Sequence, residues 1–273
     1  LLFFFMEQTN EERLVEPAAQ PEEERVDTAL RPQQLTDFIG QDQLKKTLII
    51  AIEAAKKRAE PLEHILLYGN PGLGKTTLSH IIGHEMNSQV RVTSGPALEK
   101  VGDLAAILSN LQPGDILFVD EIHRINKNIE EVLYPALEDF MLDIVIGKGP
   151  SARTMRLPLN RFTLIGATTK LSLLSAPLRD RFGHTYHLNF YETADIGKII
   201  ERNATKLGTD LEKNAVNLIA ERSRRTPRIA NRLLKRLRDV AEIEGGGTLS
   251  VAIAEKGLDL LAIEAMGLDN IDR

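Results

Sequence analysis

The chain has 273 residues, 42% hydrophobic and 27% charged, the balance of an ordinary soluble globular protein with one large or two moderate domains. Its net charge of −5 excludes a molecule that is basic throughout, so any nucleic-acid surface must be local. The absence of cysteine excludes a disulfide framework, a thiolate metal site and a thiol nucleophile, and no apolar run approaches the roughly 20 residues that span a bilayer. The expectation is a cytoplasmic protein with no membrane partner.

Leu1-Leu-Phe-Phe-Phe5 is too short and lacks the basic flank of a signal peptide. Met6 is the more natural start, and the five residues before it read as an upstream extension or a cloning remnant. Residues 1–27, Glu-rich and carrying Pro17 and Pro21, read as a disordered acidic tail. Leu30-Arg31-Pro32 opens the ordered part, a domain spanning 28–190. Phe38-Ile-Gly-Gln41 precedes a helix over 42–59, with Leu44, Leu48, Ala51, Ile52 and Ala55 on one stripe.

An apolar strand at 65–68 then runs into Gly69-x-x-x-x-Gly74-Lys75-Thr76, and Leu78, Ile81, Ile82 and Met86 follow at helical spacing. Strand, glycine loop and helix in that order make a P-loop. Gly69, Gly72 and Gly74 permit a tight turn with N–H groups facing inward, and the following helix N-terminus adds positive potential, which together cradle phosphates. Lys75 reaches the β- and γ-phosphates, and the Thr76 hydroxyl ligates Mg²⁺.

Further strands are expected at 90–93, 116–119, 162–165 and 185–189, with helices at 102–111 and from Ile129 to near Phe140. Strands alternating with helices predict an α/β fold, a five-stranded parallel sheet sandwiched by helices. Leu142–Ile146 and 154–157 bracket Gly147-Lys-Gly-Pro150, the signature of a hairpin. After Tyr191 the pattern changes to helices at 193–207, 211–223, 227–244 and 250–265 with no strand between them. That predicts a small all-helical second domain over 191–273.

The third strand ends in Asp120-Glu121, the Walker B pattern, 45 residues after Lys75. Asp120 can hold Mg²⁺ directly or through water, and Glu121 can orient and deprotonate the attacking water. Thr168 and Thr169 end the next strand, where a polar group can stand between phosphate and water or simply close a turn. Arg179 and Arg181 flank Asp180; one can pair with it, or one can serve as an arginine finger on a neighbouring subunit's γ-phosphate. The stretch from Arg222 to Arg238 holds eight basic residues and no acidic one. It reads as a solvated face, a nucleotide contact from Arg228, or a surface for DNA.

The order P-loop, Asp-Glu, Ala-Thr-Thr, Leu-Arg-x-Arg-Phe and Thr-Pro-Arg resembles the AAA+ ATPases. Within them, Leu30-Arg-Pro, Thr93-Ser-Gly-Pro-Ala97, Asp120-Glu-Ile-His-Arg124 and the segment from Leu142 to Arg153 are similar to the RuvB family of bacterial Holliday-junction branch-migration motors. The resemblance runs from about Leu30 to Arg273. It implies an ATP-hydrolysing helicase of recombination and repair that uses ATP and Mg²⁺ and works as a homo-hexameric ring around duplex and Holliday-junction DNA. Its implied partners are a RuvA-like junction-binding protein, docked on the hairpin 142–157 around Ile144 and Ile146, and a RuvC-like resolvase in a larger complex.

By the same resemblance Thr169 matches sensor 1, Arg181 the arginine finger and Arg228 sensor 2. The nucleotide-binding positions are Leu30, Arg31, Gly72, Gly74, Lys75, Thr76, Thr77, Glu138, Asp139, Phe140, Arg181, Tyr191 and Arg228. The catalytic set is Glu121, Lys75, Arg181, Thr169 and Asp120, with the metal on Thr76 and Asp120. Three departures stand out: Asn70 where the family has Pro, Lys170 where it has Arg, and Arg225 where it has Gly. The family also carries a C-terminal winged-helix domain, which this sequence does not reach, so a truncated chain is expected. The alternatives are a clamp-loader-like ATPase and a nucleotide-dependent scaffold that hardly turns over.

Overall fold

Successive residues of a strand point to opposite faces, and the apolar strands of this chain use both. In the computed structural model, which describes residues 29–146 and 153–263, Ile65 and Leu67 of β1 (Ile65–Tyr68) enter one hydrophobic cluster and Leu66 the other. Ile116 and Phe118 of β3 (Ile116–Asp120) likewise face away from Leu117 and Val119. Helices must therefore cover both faces, which is the arrangement a parallel sheet requires. The sheet also contains β2 (Val90–Ser94), β6 (Thr163–Thr168) and β7 (His184–His187), in the order β2-β3-β6-β1-β7, and every pairing is parallel.

On one face lie α1 (Asp42–Arg58), burying Leu44, Leu48, Ile52 and Ala55, and α2 (Lys75–Met86), burying Leu78, Ile81 and Ile82. On the other lie α3 (Val101–Ser109) and α4 (Lys127–Glu138), which bury Leu104, Leu108, Ile129, Leu133 and Leu137. Each fully buried Leu or Ile contributes about 1.5–3 kcal/mol relative to an exposed one. β4 (Met141–Ile146) and β5 (Arg153–Pro158) form a separate antiparallel hairpin between α4 and β6. Its expected turn, 147–150, and the side chain of Ile146 lie outside the described residues, as does the expected acidic tail.

A short helix α5 (Ala176–Arg179) leads into β7. After β7 come α6 (Thr193–Leu207), α7 (Lys213–Arg222), α8 (Pro227–Glu244) and α9 (Val251–Leu260). They pack through Ile196, Ile200, Ile219, Leu233, Leu234, Leu237 and Leu258, continuous with the cluster beneath α1 and α2. The expectation of helices with nothing between them needs one correction. β8 (Asp210–Leu211) and β9 (Thr248–Leu249) form a two-residue parallel ladder, too short to show periodicity in sequence. The chain divides into two units, 1–31 and 32–273; in the first, Leu30 is buried and Arg31 exposed.

Candidate active site

In open α/β sheets ligands bind beyond the carboxyl ends of the strands, where strand order reverses. β1 sits between β6 and β7, and its carboxyl end opens directly into the glycine loop. Gly69 takes φ 145 and its N–H donates to Thr168 O at 3.2 Å, tying the loop to the neighbouring strand. A Cβ on Gly69 would stand 2.5 Å from Leu188 O, so no other residue fits there. Gly72 and Gly74 also take positive φ, 79 and 100, after which α2 begins at Lys75. The first N–H groups of a helix have no intrahelical partner, so this end of α2 offers donors and a positive dipole to phosphate.

Lys75 is buried (8% exposed), and its Nζ donates to Gly69 O at 2.8 Å and Asn70 O at 2.9 Å. Burial holds its pKa below the ordinary lysine value, while the Asp120 charge pulls it back up. Asp120 ends β3, paired in register with Ser94, and its Oδ1 accepts the Glu121 N–H at 2.9 Å. Glu121 takes φ 48, and its Oε2 accepts from Arg124 at 2.9 Å. Thr76 and Thr77 are half-buried in the first turn of α2, where Ser79 donates to Thr76 O at 2.7 Å. A cradle of N–H groups, a buried ammonium, a hydroxyl and a carboxylate fit a triphosphate with its divalent cation.

Thr168 and Thr169 part company at the end of β6. Thr168 is buried, within 2.9 Å of His123 Nδ1, and accepts the Lys170 N–H at 2.9 Å. Thr169 is exposed. His123, two residues after Glu121, links the Asp-Glu turn to β6. Burial lowers its pKa, partly offset by Glu121.

The helical segment closes over the loop. Arg228 N–H donates to Gly72 O at 3.4 Å, and a Cβ on Gly72 would stand 3.0 Å from Arg228 Cβ. Tyr191 is buried, its hydroxyl donating to Leu73 O at 3.3 Å, and burial raises its pKa. Asn70, Pro71, Gly72, Phe190, Thr226 and Arg228 line a cavity of about 400 Å³ at this seam. Gln41 clamps the segment between β7 and α6. Its amide nitrogen donates to Asn189 O at 2.6 Å and its oxygen accepts the Asn189 N–H at 3.1 Å. Nothing local in the sequence announces a contact between residues 148 positions apart.

Arg181 lies elsewhere. With Glu63, His64, Leu137, Phe140 and Phe162 it lines a cavity of about 340 Å³. His64, Phe162 and Gly183 immediately precede β1, β6 and β7, so this cavity lies off the amino ends of the strands, opposite the P-loop. The four residues of β1 alone hold the two edges about 10 Å apart. Arg181 pairs with Glu138 Oε1 at 2.9 Å, and Phe140 and Asp139 stand beside that pair in sequence. Arg181, Glu138, Asp139 and Phe140 are thus brought together, but away from Lys75, Asp120 and Glu121 of the same chain.

A parallel sheet in this order, a P-loop after β1, an acidic pair ending β3 and a helical lid on the loop define an AAA+ P-loop ATPase. The family model for the Holliday junction DNA helicase RuvB P-loop domain matches residues 30–188, and that for the RuvB AAA lid domain matches 191–264. The chain belongs to the RuvB family. It is 57% identical over 261 residues to the Holliday junction branch migration complex subunit RuvB of Dehalococcoides mccartyi, covering 96% of this chain and 75% of that protein. Among solved structures it is similar to Thermotoga maritima RuvB, described as a Holliday junction branch migration motor, with 48% identity and a TM-score of 0.81. A point variant of the same Thermotoga protein gives 0.83; both alignments cover 89% of this chain and 77% of the other.

Proposed function

We propose that this chain is the ATP-driven motor of Holliday-junction branch migration, hydrolysing ATP at a site completed by a second subunit. The family match sets the clamp-loader-like alternative aside. The observation that carries the shared site is the separation of Arg181 from its own P-loop by the length of the strands. A finger on the amino edge serves a triphosphate on a neighbour.

In this reading Glu121 takes a proton from water as the water oxygen bonds to the γ-phosphorus. The bond from that phosphorus to the bridging oxygen breaks, leaving ADP and phosphate. Lys75 and the N–H groups of 72–77 bind the phosphate oxygens. Thr76 and Asp120 would hold a magnesium ion, whose contribution is to neutralise charge on the phosphates. Thr169 senses the γ-phosphate, Arg228 closes the lid over the nucleotide, and Tyr191 lines the nucleotide pocket; Leu30 and Arg31 are nucleotide-binding positions by the same family resemblance. Arg181, with Glu138, Asp139 and Phe140, comes from the adjacent subunit of a hexamer. The large domain ends and the lid begins near residue 190.

The hairpin β4–β5 is the docking element for a RuvA-like protein. Directly paired residues share a face. Leu142 with Leu157, then Ile144 with Met155, carry an apolar strip from the core out to solvent, where Met155 is 41% exposed. Duplex and junction DNA, and a RuvC-like resolvase, complete a cytoplasmic complex.

The test is the ATPase rate per subunit against protein concentration, with and without duplex DNA. A ring motor gives a rate that climbs with concentration and rises again on DNA. ATP binding with a flat background rate at every concentration would instead establish the non-hydrolysing scaffold.

A further inference from the structure

Glu130, Tyr134 and Glu138 recur every four residues along α4 and therefore form one stripe. All three meet the segment that carries Arg181. Glu130 Oε1 accepts from the Ser175 hydroxyl and from the Tyr134 hydroxyl, the latter at 2.5 Å. Ser175 in turn caps α5 by accepting the Leu178 N–H at 3.2 Å. The Tyr134 ring lies under the Arg181 guanidinium, 4.2 Å from centroid to Cζ. Glu138 takes one terminal nitrogen at 2.9 Å, and Pro177 O takes the other at 2.5 Å. Arg181 Nε is buried with no hydrogen-bond partner, so the ring face is what supports the middle of the group.

We propose that Tyr134, held by Glu130, is the positioning residue of the Arg181 finger: its ring sets the direction in which the guanidinium meets a neighbouring triphosphate. This rests on Arg181 acting in trans. The ring is suited to the task because it is flat, fixed at two points and attracts a cation through its face. Its hydroxyl is a donor at neutral pH, since burial and the bond to Glu130 both raise its pKa. Ser175 and Tyr134 share one carboxylate oxygen, so the ring and the start of α5 are indexed to the same point. The finger then moves with α4 as one body.

Steady-state ATPase of the chain tests this with Tyr134→Leu, Tyr134→Phe, Glu130→Gln and Arg181→Ala. Tyr134→Leu should lower kcat roughly tenfold with KM within about twofold, and Tyr134→Phe, which keeps the ring, should recover most of that. Glu130→Gln should fall between them. A Tyr134→Leu kcat within twofold of the parent overturns the proposal. If Arg181→Ala itself hydrolyses at the parent rate, the finger reading fails instead, so the two failures are distinguishable.

A readout independent of assembly is the Arg181 Nε–H resonance of the free chain. Ring-current shielding should be present in the parent and in Tyr134→Phe. It should vanish in Tyr134→Leu; an unshielded parent resonance overturns the proposal. Should Tyr134→Leu not fold, Glu130→Gln decides: an unchanged Tm with a reduced kcat supports the positioning role, and an unchanged kcat refutes it.

Discussion

At the scale of single residues, Arg225 shows how a side chain offsets an unfavourable backbone. It takes φ 58, a left-handed conformation that favours Gly, the residue expected there from the family resemblance. Its side chain compensates: Nε donates to Tyr191 O at 2.8 Å, and a terminal nitrogen pairs with Glu192 at 2.9 Å. Arg225→Ala removes these bonds and keeps the strain, while Arg225→Gly removes both. The Gly variant should therefore be the more stable of the two by about 1 kcal/mol in urea unfolding. Equal stabilities would mean the backbone there is not strained. His64 supports a second prediction. Its Nδ1 accepts the Leu164 N–H at 2.9 Å, so Nε2 must carry the proton it gives to Leu137 O at 3.1 Å. The ring is neutral, and burial depresses its pKa below 6.5. Below pH 6.5 the unfolded chain binds the proton first, so this contribution to stability is full above 6.5 and is lost as pH falls toward the folded pKa. The slope reaches at most about 1.4 kcal/mol per pH unit. His64→Gln should therefore flatten the dependence of unfolding free energy between pH 7.5 and 5.5, and an unaltered slope would show that His64 is not the buried base.

At the scale of elements, most of the fold was legible because period and length report burial. β1 and β3 are uninterrupted apolar runs, as strands covered on both faces must be, and α6 and α8 match their expected spans residue for residue. The Asp-Glu pair and the glycine loop could be placed for the same reason: each hangs directly on such a strand. What sequence could not show is the geometry that tertiary contact decides. Nothing in Asn-Ile-Glu-Glu-Val-Leu-Tyr distinguishes the Tyr134 that carries Arg181 from an ordinary amphipathic tyrosine. The hairpin was legible from its turn, but which half of it is free came only with the register. Leu142 is fully buried whereas Met155, two pairs further out on the same face, is exposed. The opposite face carries the bidentate pair of Arg156 with Asp143 at 2.8 and 2.9 Å, so the apolar strip is the face proposed for docking. Met155→Glu should weaken binding of a RuvA-like partner at least tenfold, since it puts a charge at the centre of an apolar contact. The ATPase rate without partner should not change; partner affinity equal to the parent's, measured by calorimetry, would remove the hairpin from the interface.

At the scale of the whole molecule, the proposed mechanism assigns the two ends of one sheet's strands to two halves of one reaction. The carboxyl edge holds Lys75, Asp120 and Glu121, and the amino edge holds Arg181 on the α4 stripe. The proposed trans finger requires head-to-tail contact between copies, the amino edge of one against the carboxyl edge of the next, and such heterologous contacts can close into rings. Two variants separate the halves. Arg181→Ala keeps a complete P-loop but offers its neighbour no finger, and Lys75→Ala keeps the finger but cannot use ATP. Each alone should fall by roughly 10³-fold or more in kcat, the scale of an arginine finger. Mixed in equal amounts, a productive interface needs an Arg181→Ala subunit's P-loop against a Lys75→Ala subunit's finger. Random assembly gives this at roughly a quarter of interfaces, so turnover should return toward a quarter of the parent rate if sites fire independently. Acting within its own chain, Arg181 could not be replaced by a neighbour's. A mixture no faster than the sum of its parts, in rings shown by light scattering to contain both variants, would then place the finger in cis and undo the shared site.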